Sequence, residues 1–190
     1  MQHYYYHRVK KMKKVKMIHQ QITTLLLQIL LLIILGGSVG IAGTETVFAS
    51  GFTLIVGIEF DNNGNLLVAD YVGKLYKLDD SGNKTVLAQI QSVGDVVIDK
   101  NNVVYGLSEN GNLYKLTDQG PVVISTFPNS VGTPRDITYD VDNNLFYVIC
   151  DGNIYKVNVN GDTSYFSNTP YSTAAAVEYN NIKKKLYAGG

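Results

Sequence analysis

Histidine occurs only at His3, His7 and His19, and cysteine only at Cys150. A serine or cysteine nucleophile activated by a histidine base therefore has no basis beyond residue 19. His3 and His7 stand four apart, a spacing that on a helix would suit a metal, but in a basic leader the plainer reading is two solvated side chains. Cys150 follows the apolar run "LFYVI" at a strand end. Being alone it makes no internal disulfide, and its position is that of a small buried filler rather than a nucleophile. Asp140, Asp142 and Asn144 have the spacing of the first oxygen ligands of a calcium loop, and Asp151 falls at its last liganding place. Leu145 occupies the position where such a loop needs glycine, so an ordinary hairpin turn is the better reading. "NKT" at Asn83 to Thr85 is a glycosylation sequon, meaningful only in a host that glycosylates exported chains.

Charge is distributed unevenly. Arg8, Lys10, Lys11, Lys13, Lys14 and Lys16 crowd the start, and every one of the sixteen acids lies beyond residue 44 together with only ten bases. That remainder carries a net charge near −6, which argues against nucleic acid as a partner, since a phosphate backbone requires a basic face. The basic leader runs into "LLLQILLLIIL" (Leu25 to Leu35) and then into glycines and small residues, the order of a secretory signal. Cleavage fits after Ala42 or after Ala49, and an uncleaved anchor with the remainder outside is the other reading of the same run. We therefore expect residues 1–43 to be a signal peptide or membrane anchor forming the chain's one long helix, with cleavage as late as residue 49. Residues 44–190 are then the exported part, secreted or held at the membrane only through that N-terminal segment. Met12 is a plausible alternative start.

The elements that must position any chemistry are written in a repeat. "GIEFDNNGNLLVAD", "GDVVIDKNNVVYGL", "RDITYDVDNNLFYVI" and "AAAVEYNNIKKKLYAGG" recur about forty residues apart, with Asp61, Asp99, Asp140 and Asn180 at the same place in each copy. Within a copy, apolar residues alternate over short runs bounded by Asn, Asp and Gly, which is the period of strands. In the first copy the strands are expected at Ile58 to Phe60, Leu66 to Ala69, Leu75 to Leu78 and Thr85 to Ala88. The strings "GKLYKLDDSG", "GNLYKLTDQG" and "GNIYKVNVNG" place Leu75, Leu113 and Ile154 on one side and Tyr76, Tyr114 and Tyr155 on the other. The eleven tyrosines beyond residue 70 would serve carbohydrate stacking, but most stand in strands, where tyrosine is simply favoured.

Four antiparallel strands per forty residues cannot bury both faces alone, and radial stacking covers them. The expected fold is all-β, a β-propeller of four-stranded antiparallel blades with about three and a half blades present, after the N-terminal signal or anchor helix. The repeats lie near 57–93, 94–134, 135–173 and 174–190, and Thr46 to Ala49 aligns with the outer strand of a preceding blade. The strand count is one short of a closed four-bladed ring, so the chain reads as part of a longer, six-bladed protein. An open edge of that kind invites pairing with another copy.

The matches at Gly57, Ile58, Asp61, Gly64, Asn65, Leu66, Val68, Ala69 and Asp70, and then at Gly73, Leu75, Asp79 and Gly82, make the chain resemble the NHL-repeat and gluconolactonase (senescence marker protein)-like propellers over residues 46–190. The resemblance implies the fold and leaves activity open, because that superfamily holds lactonases, a streptogramin lyase and many non-catalytic modules. The lyase uses a propeller histidine, which this chain lacks. The lactonases hold a divalent cation at the channel mouth with residues that align with Val56, Gly94, Arg135 and Ala175, none of them a ligand. One place further on stand Gly57, Asp95, Asp136 and Ala176, so Asp95 and Asp136 are the candidate metal ligands, for a hard cation such as Ca²⁺. The alternative for both is an Asp capping the turn into a strand.

The resulting expectation is an exported propeller acting as a binding or scaffold module without catalysis of its own. Its partner would be a protein, small molecule or carbohydrate at the face of the blade-connecting loops. A metal-dependent lactonase or related hydrolase is the alternative.

Overall fold

The structure, a computed structural model, describes residues 46–190, so the leader and the signal or anchor helix expected at Leu25–Leu35 lie outside the described residues. Fourteen strands follow in order. β1 (Ile55–Phe60), β2 (Leu66–Asp70), β3 (Lys74–Leu78) and β4 (Lys84–Gln89) form the first sheet, and β5 (Val93–Ile98), β6 (Val104–Ser108), β7 (Asn112–Thr117) and β8 (Gly120–Thr126) the second. β9 (Pro134–Asp140), β10 (Leu145–Cys150), β11 (Asn153–Asn158) and β12 (Thr163–Asn168) form the third, and β13 (Ala176–Asn180) pairs with β14 (Lys185–Gly189) in the fourth. Every sheet is an antiparallel meander in sequence order, which is the blade of a β-propeller. Beyond the strands there is one 3-10 turn, Asn129–Val131, and no helix among the described residues is long and apolar enough to cross a membrane.

The turns form because their leading residue caps its own backbone. The Asp61 carboxylate accepts the Asn63 and Asn65 amides, Asp99 those of Asn101 and Val103, and Asp140 those of Asp142 and Asn143. Asn180 does the same for Ile182 and Lys183. These side chains replace the strand ladder where the chain reverses, so one turn residue per copy keeps register through loops of differing length.

Stacking buries the facing sides of successive sheets. Leu67, Ala69 and Leu75 of the first sheet meet Val93 and Val96 of the second. Tyr105, Leu107 and Leu113 of the second meet Ile137, Tyr139, Phe146 and Val148 of the third, and Tyr147 and Ile149 of the third meet Val177 and Tyr179 of the fourth. Phe146 is the centre of the largest cluster, with ring centroids 4.6 Å from Tyr105 and 5.2 Å from Tyr139. The expected facing of the "LYKL" strands holds in the first sheet, where Leu75 packs toward the second sheet and Tyr76 toward the opposite face with Val68 and Leu78.

Two expectations are corrected here. Thr46 to Ala49 is not a strand, because no neighbouring strand among the described residues bonds to it. It keeps the place of one nonetheless, with the Phe48 carbonyl against Gly82 just as the Ile124 carbonyl of β8 lies against Gly161, whose φ of +97° and close neighbour both exclude a side chain. The inner strands also begin earlier than Ile58, so Val56, Gly94 and Arg135 lie inside β1, β5 and β9 as the unpaired residues of β-bulges rather than before the strands.

Candidate functional site at the central channel

β1, β5, β9 and β13 are the innermost strands, stacked in sequence from the first sheet to the fourth. Period-2 alternation gives each strand two side chains on the side toward the next blade. These are Gly57 and Glu59, Asp95 and Val97, Asp136 and Thr138, and Ala176 and Glu178. In β1, β5 and β9 a bulge just before the pair sets that alternation, while β13 begins at Ala176 with an unbroken register.

The candidate ligands Asp95 and Asp136 are brought together. Asp95 Oδ2 accepts the Ile137 amide at 3.2 Å, Asp136 Oδ1 accepts the same amide at 2.8 Å, and Asp136 Oδ2 accepts the Val177 amide of the next blade at 2.8 Å. Asp95 fits only because Gly57 of the preceding blade has no side chain, since a Cβ there would lie 2.9 Å from the Asp95 Cα. Burial, reinforced by a hydrogen bond to Asp136 and by its charge, pushes the Asp95 carboxyl well above the usual carboxylate range. Arg135, the nearest base in sequence, turns away to Glu109 and Asp151, each at 3.5 Å. Both aspartates thus spend oxygens on backbone amides across blade boundaries. Among the described residues no group of three or more His, Cys, Asp or Glu is gathered as a metal cluster.

Other residues singled out by type take structural places. Asp140 is buried and its oxygens are occupied by Asn143 and by its own turn, Asp142 pairs with Lys184, and Asn144 Oδ1 accepts the Tyr139 hydroxyl at 2.6 Å. These oxygens do not converge on one point, and the segment is a hairpin turn. Cys150 is buried, and burial together with the Asp151 charge pushes its thiol up to about 12, which keeps it protonated and unreactive at neutral pH. Asn83 sits in the β3–β4 turn with its amide nitrogen 2.9 Å from Asp79.

A cavity of about 340 Å³ opens at the other end of the same strands, among the β1–β2, β5–β6, β9–β10 and β13–β14 hairpin turns. Glu59, Thr138 and Glu178 form its wall, with Asn62, Lys100 and Asn181 from the turns. Burial raises the Glu59 carboxyl, a bond from the Phe60 amide opposes this, and the Glu178 charge adds to it. Glu178 is likewise raised by burial and by Asp136, against a 3.4 Å bond from the Thr138 hydroxyl. The Glu178 charge of the fourth sheet thus reaches Glu59 of the first, in a recess lined by one base, Lys100, among the described residues. Glu59, Thr138 and Glu178 are not among the residues that type and spacing single out. Their signal was the column two residues before each turn-leading Asp or Asn, which reads Glu, Val, Thr, Glu.

No protein-family model matches this chain, and no curated protein matches it by sequence. Its fold is nevertheless shared with solved β-propellers. The virginiamycin B lyase of Staphylococcus aureus superposes with a TM-score of 0.61 at 16% identity, over 71% of this chain and 48% of the lyase. A structure of a nidogen/laminin complex gives 0.61 at 14%, over 70% of this chain and 55% of the matched one. The computationally designed Ika4 protein gives 0.54 at 11%, over 76% of this chain and 97% of that one. The chain thus spans about half the length of the two natural proteins, and at these identities the likeness is one of fold.

Proposed function

We propose that this chain is an exported propeller module that binds rather than catalyses, and that its ligand is a small cationic group received in the cavity walled by Glu59, Thr138 and Glu178. The observation that carries the reading is that cavity, where two carboxylates from opposite ends of the blade series face a common space of about 340 Å³. A primary or secondary ammonium entering there would relieve their repulsion and donate hydrogen bonds to both. Three features support the absence of catalysis: no histidine beyond residue 19, a buried and protonated Cys150, and non-ligand residues at the matched positions Val56, Gly94, Arg135 and Ala175, with the neighbouring Asp95 and Asp136 engaged with backbone amides. A histidine-to-alanine variant of the virginiamycin lyase is described as catalytically inactive, and these residues offer no equivalent base. The basic leader and apolar run support export, and the laminin complex of the nidogen propeller supports protein contact as a use of this fold.

The lactonase reading keeps one foothold, a hard cation held between the neighbouring carboxylates of Asp95 and Asp136. Calorimetric titration of the chain with spermidine and with Ca²⁺, repeated on Glu59→Gln/Glu178→Gln and on Asp95→Asn/Asp136→Asn, separates the two. Spermidine binding lost only in the glutamate variant supports the proposal. Ca²⁺ binding lost only in the aspartate variant, with Ca²⁺-dependent lactone hydrolysis, replaces it.

A further inference from the structure

The β1–β2, β5–β6, β9–β10 and β13–β14 turns share one geometry and differ in one residue. In each the leading side chain accepts the amide two residues on, that of Asn63, Asn101, Asp142 or Ile182. All four are exposed, and the first three stay so although a further sheet follows each of them. Exposure at this place therefore does not depend on whether another blade comes next. Three copies fill it with Asn or Asp, as turn chemistry favours, whereas the fourth presents an isoleucine that is 92% exposed. A single exposed aliphatic residue is ordinary. This one is held out on a capped turn, where the Asn180 side chain accepts the Ile182 amide at 3.0 Å and the Lys183 amide at 2.7 Å. It is followed by Lys183, Lys184 and Lys185, three of the ten bases beyond residue 44. Lys184 pairs with Asp142, while Lys183 and Lys185 are exposed and have no acid within ion-pair range among the described residues. The adjoining turn is tied to the tip, since Asn181 Oδ1 accepts the Val141 amide at 3.0 Å, which sets the exposed Val141 beside it.

We propose that this tip docks on an anionic lipid surface, Ile182 and Val141 entering the headgroup boundary while Lys183 and Lys185 meet lipid phosphates. An apolar residue beside lysines suits that boundary, because the lysine stems lie along its apolar side and their ammonium groups reach the headgroup charge. Charge complementarity selects this element, since the part beyond residue 44 carries more acids than bases and is repelled elsewhere by such a surface. Residues 1–44 hold no acid, so they offer the lysines no counter-charge. Each lysine strengthens such a contact by about fivefold, which is weak for a free protein. It is effective where the apolar run at Leu25 to Leu35 already holds the chain at a bilayer, an arrangement of two membrane signals. The inference rests on that anchoring for its strength and is independent of the cavity ligand, because Ile182, Lys183 and Lys185 do not line the cavity.

The full chain, carrying a nitrobenzoxadiazole probe at Ile182→Cys, is mixed with vesicles of phosphatidylcholine alone or with phosphatidylglycerol added. A second preparation carries the probe at Asn110→Cys, an exposed position in the β6–β7 turn at the opposite end of the blades. Cys150 is buried and stays unlabelled. The expected result is a blue shift and quenching by brominated lipid at residue 182 in the anionic vesicles, with little change in neutral ones and none at residue 110. Lys183→Gln/Lys185→Gln, which alters only exposed side chains, is expected to weaken docking by about 25-fold, two factors of about five. Circular dichroism checks that each variant keeps its strands. A chain that floats with anionic vesicles and gives no response at residue 182 overturns the proposal and leaves the anchor standing, whereas a chain that does not float overturns both. An equal response in neutral vesicles, at residue 110 or in the lysine variant overturns it as well. A response to soluble polyphosphate without quenching by brominated lipid replaces it with a purely ionic site.

Discussion

Replacement of Asp136 tests how the channel strands are held. Its Oδ2 is the partner of the Val177 amide at 2.8 Å, and Val177 is buried, so Asp136→Ala leaves that donor without a partner. A buried amide left unsatisfied costs about 1–3 kcal/mol. The Ile137 amide keeps Asp95 Oδ2 at 3.2 Å and adds little to the loss. Asp136→Asn retains a carbonyl oxygen for Val177 and removes the charge that Asp95 opposes, so its cost should stay below about 1 kcal/mol. The two variants also separate by pH. Asp95 has a folded-state pKa raised above its unfolded value by burial and then by Asp136, so its contribution is full below the unfolded value and is lost as pH rises through the folded one. The unaltered chain should therefore lose stability as pH rises above the ordinary carboxylate range, and Asp136→Asn should lose less, in a comparison of two assay conditions, about pH 5 and about pH 8. Urea unfolding at the two pH values, followed by tyrosine fluorescence, measures both effects. Equal costs for the alanine and asparagine variants at both pH values, or a decline in Asp136→Asn as steep as in the unaltered chain, would refute the reasoning.

At Asp61, burial works against ionisation, but the Lys77 ammonium at 2.8 Å and the Asn65 and Asn63 donors hold the carboxyl down at about 2. Its stabilisation is thus present above the ordinary carboxylate value and lost as pH falls through about 2. Asp61→Asn should cost about 1–2 kcal/mol near neutrality, after allowance for the partial exposure of Lys77, and progressively less on acidification, as urea midpoints from about pH 6 to about pH 3 would show. Phe146→Ala, which empties the site between Tyr105 and Tyr139, should lower stability by about 3–5 kcal/mol in the same assay. Gly57→Ala forces Asp95 from its seat and should destabilise the chain by about 1–3 kcal/mol, a cost reduced when Asp95→Ala is combined with it.

Strand alternation and the capping chemistry of Asp61, Asp99, Asp140 and Asn180 are local, and a local pattern repeated four times is readable without coordinates. This is why the blades, their antiparallel order and most strand ends were legible, and why Cys150 and the Asp140 segment were placed correctly as filler and turn. The metal candidates were legible as a column, but their partners were not. Whether Asp95 meets Asp136, and which amide each one caps, depends on the angle between successive blades and on the room left by Gly57, which no alignment column records. The bulges at Val56, Gly94 and Arg135 are similarly tertiary, because an extra residue in a strand is visible only against its partner. Glu59 and Glu178 stand at opposite ends of the repeat series, and only the curvature of the stacked sheets brings them to one cavity, where partial desolvation raises both carboxyls.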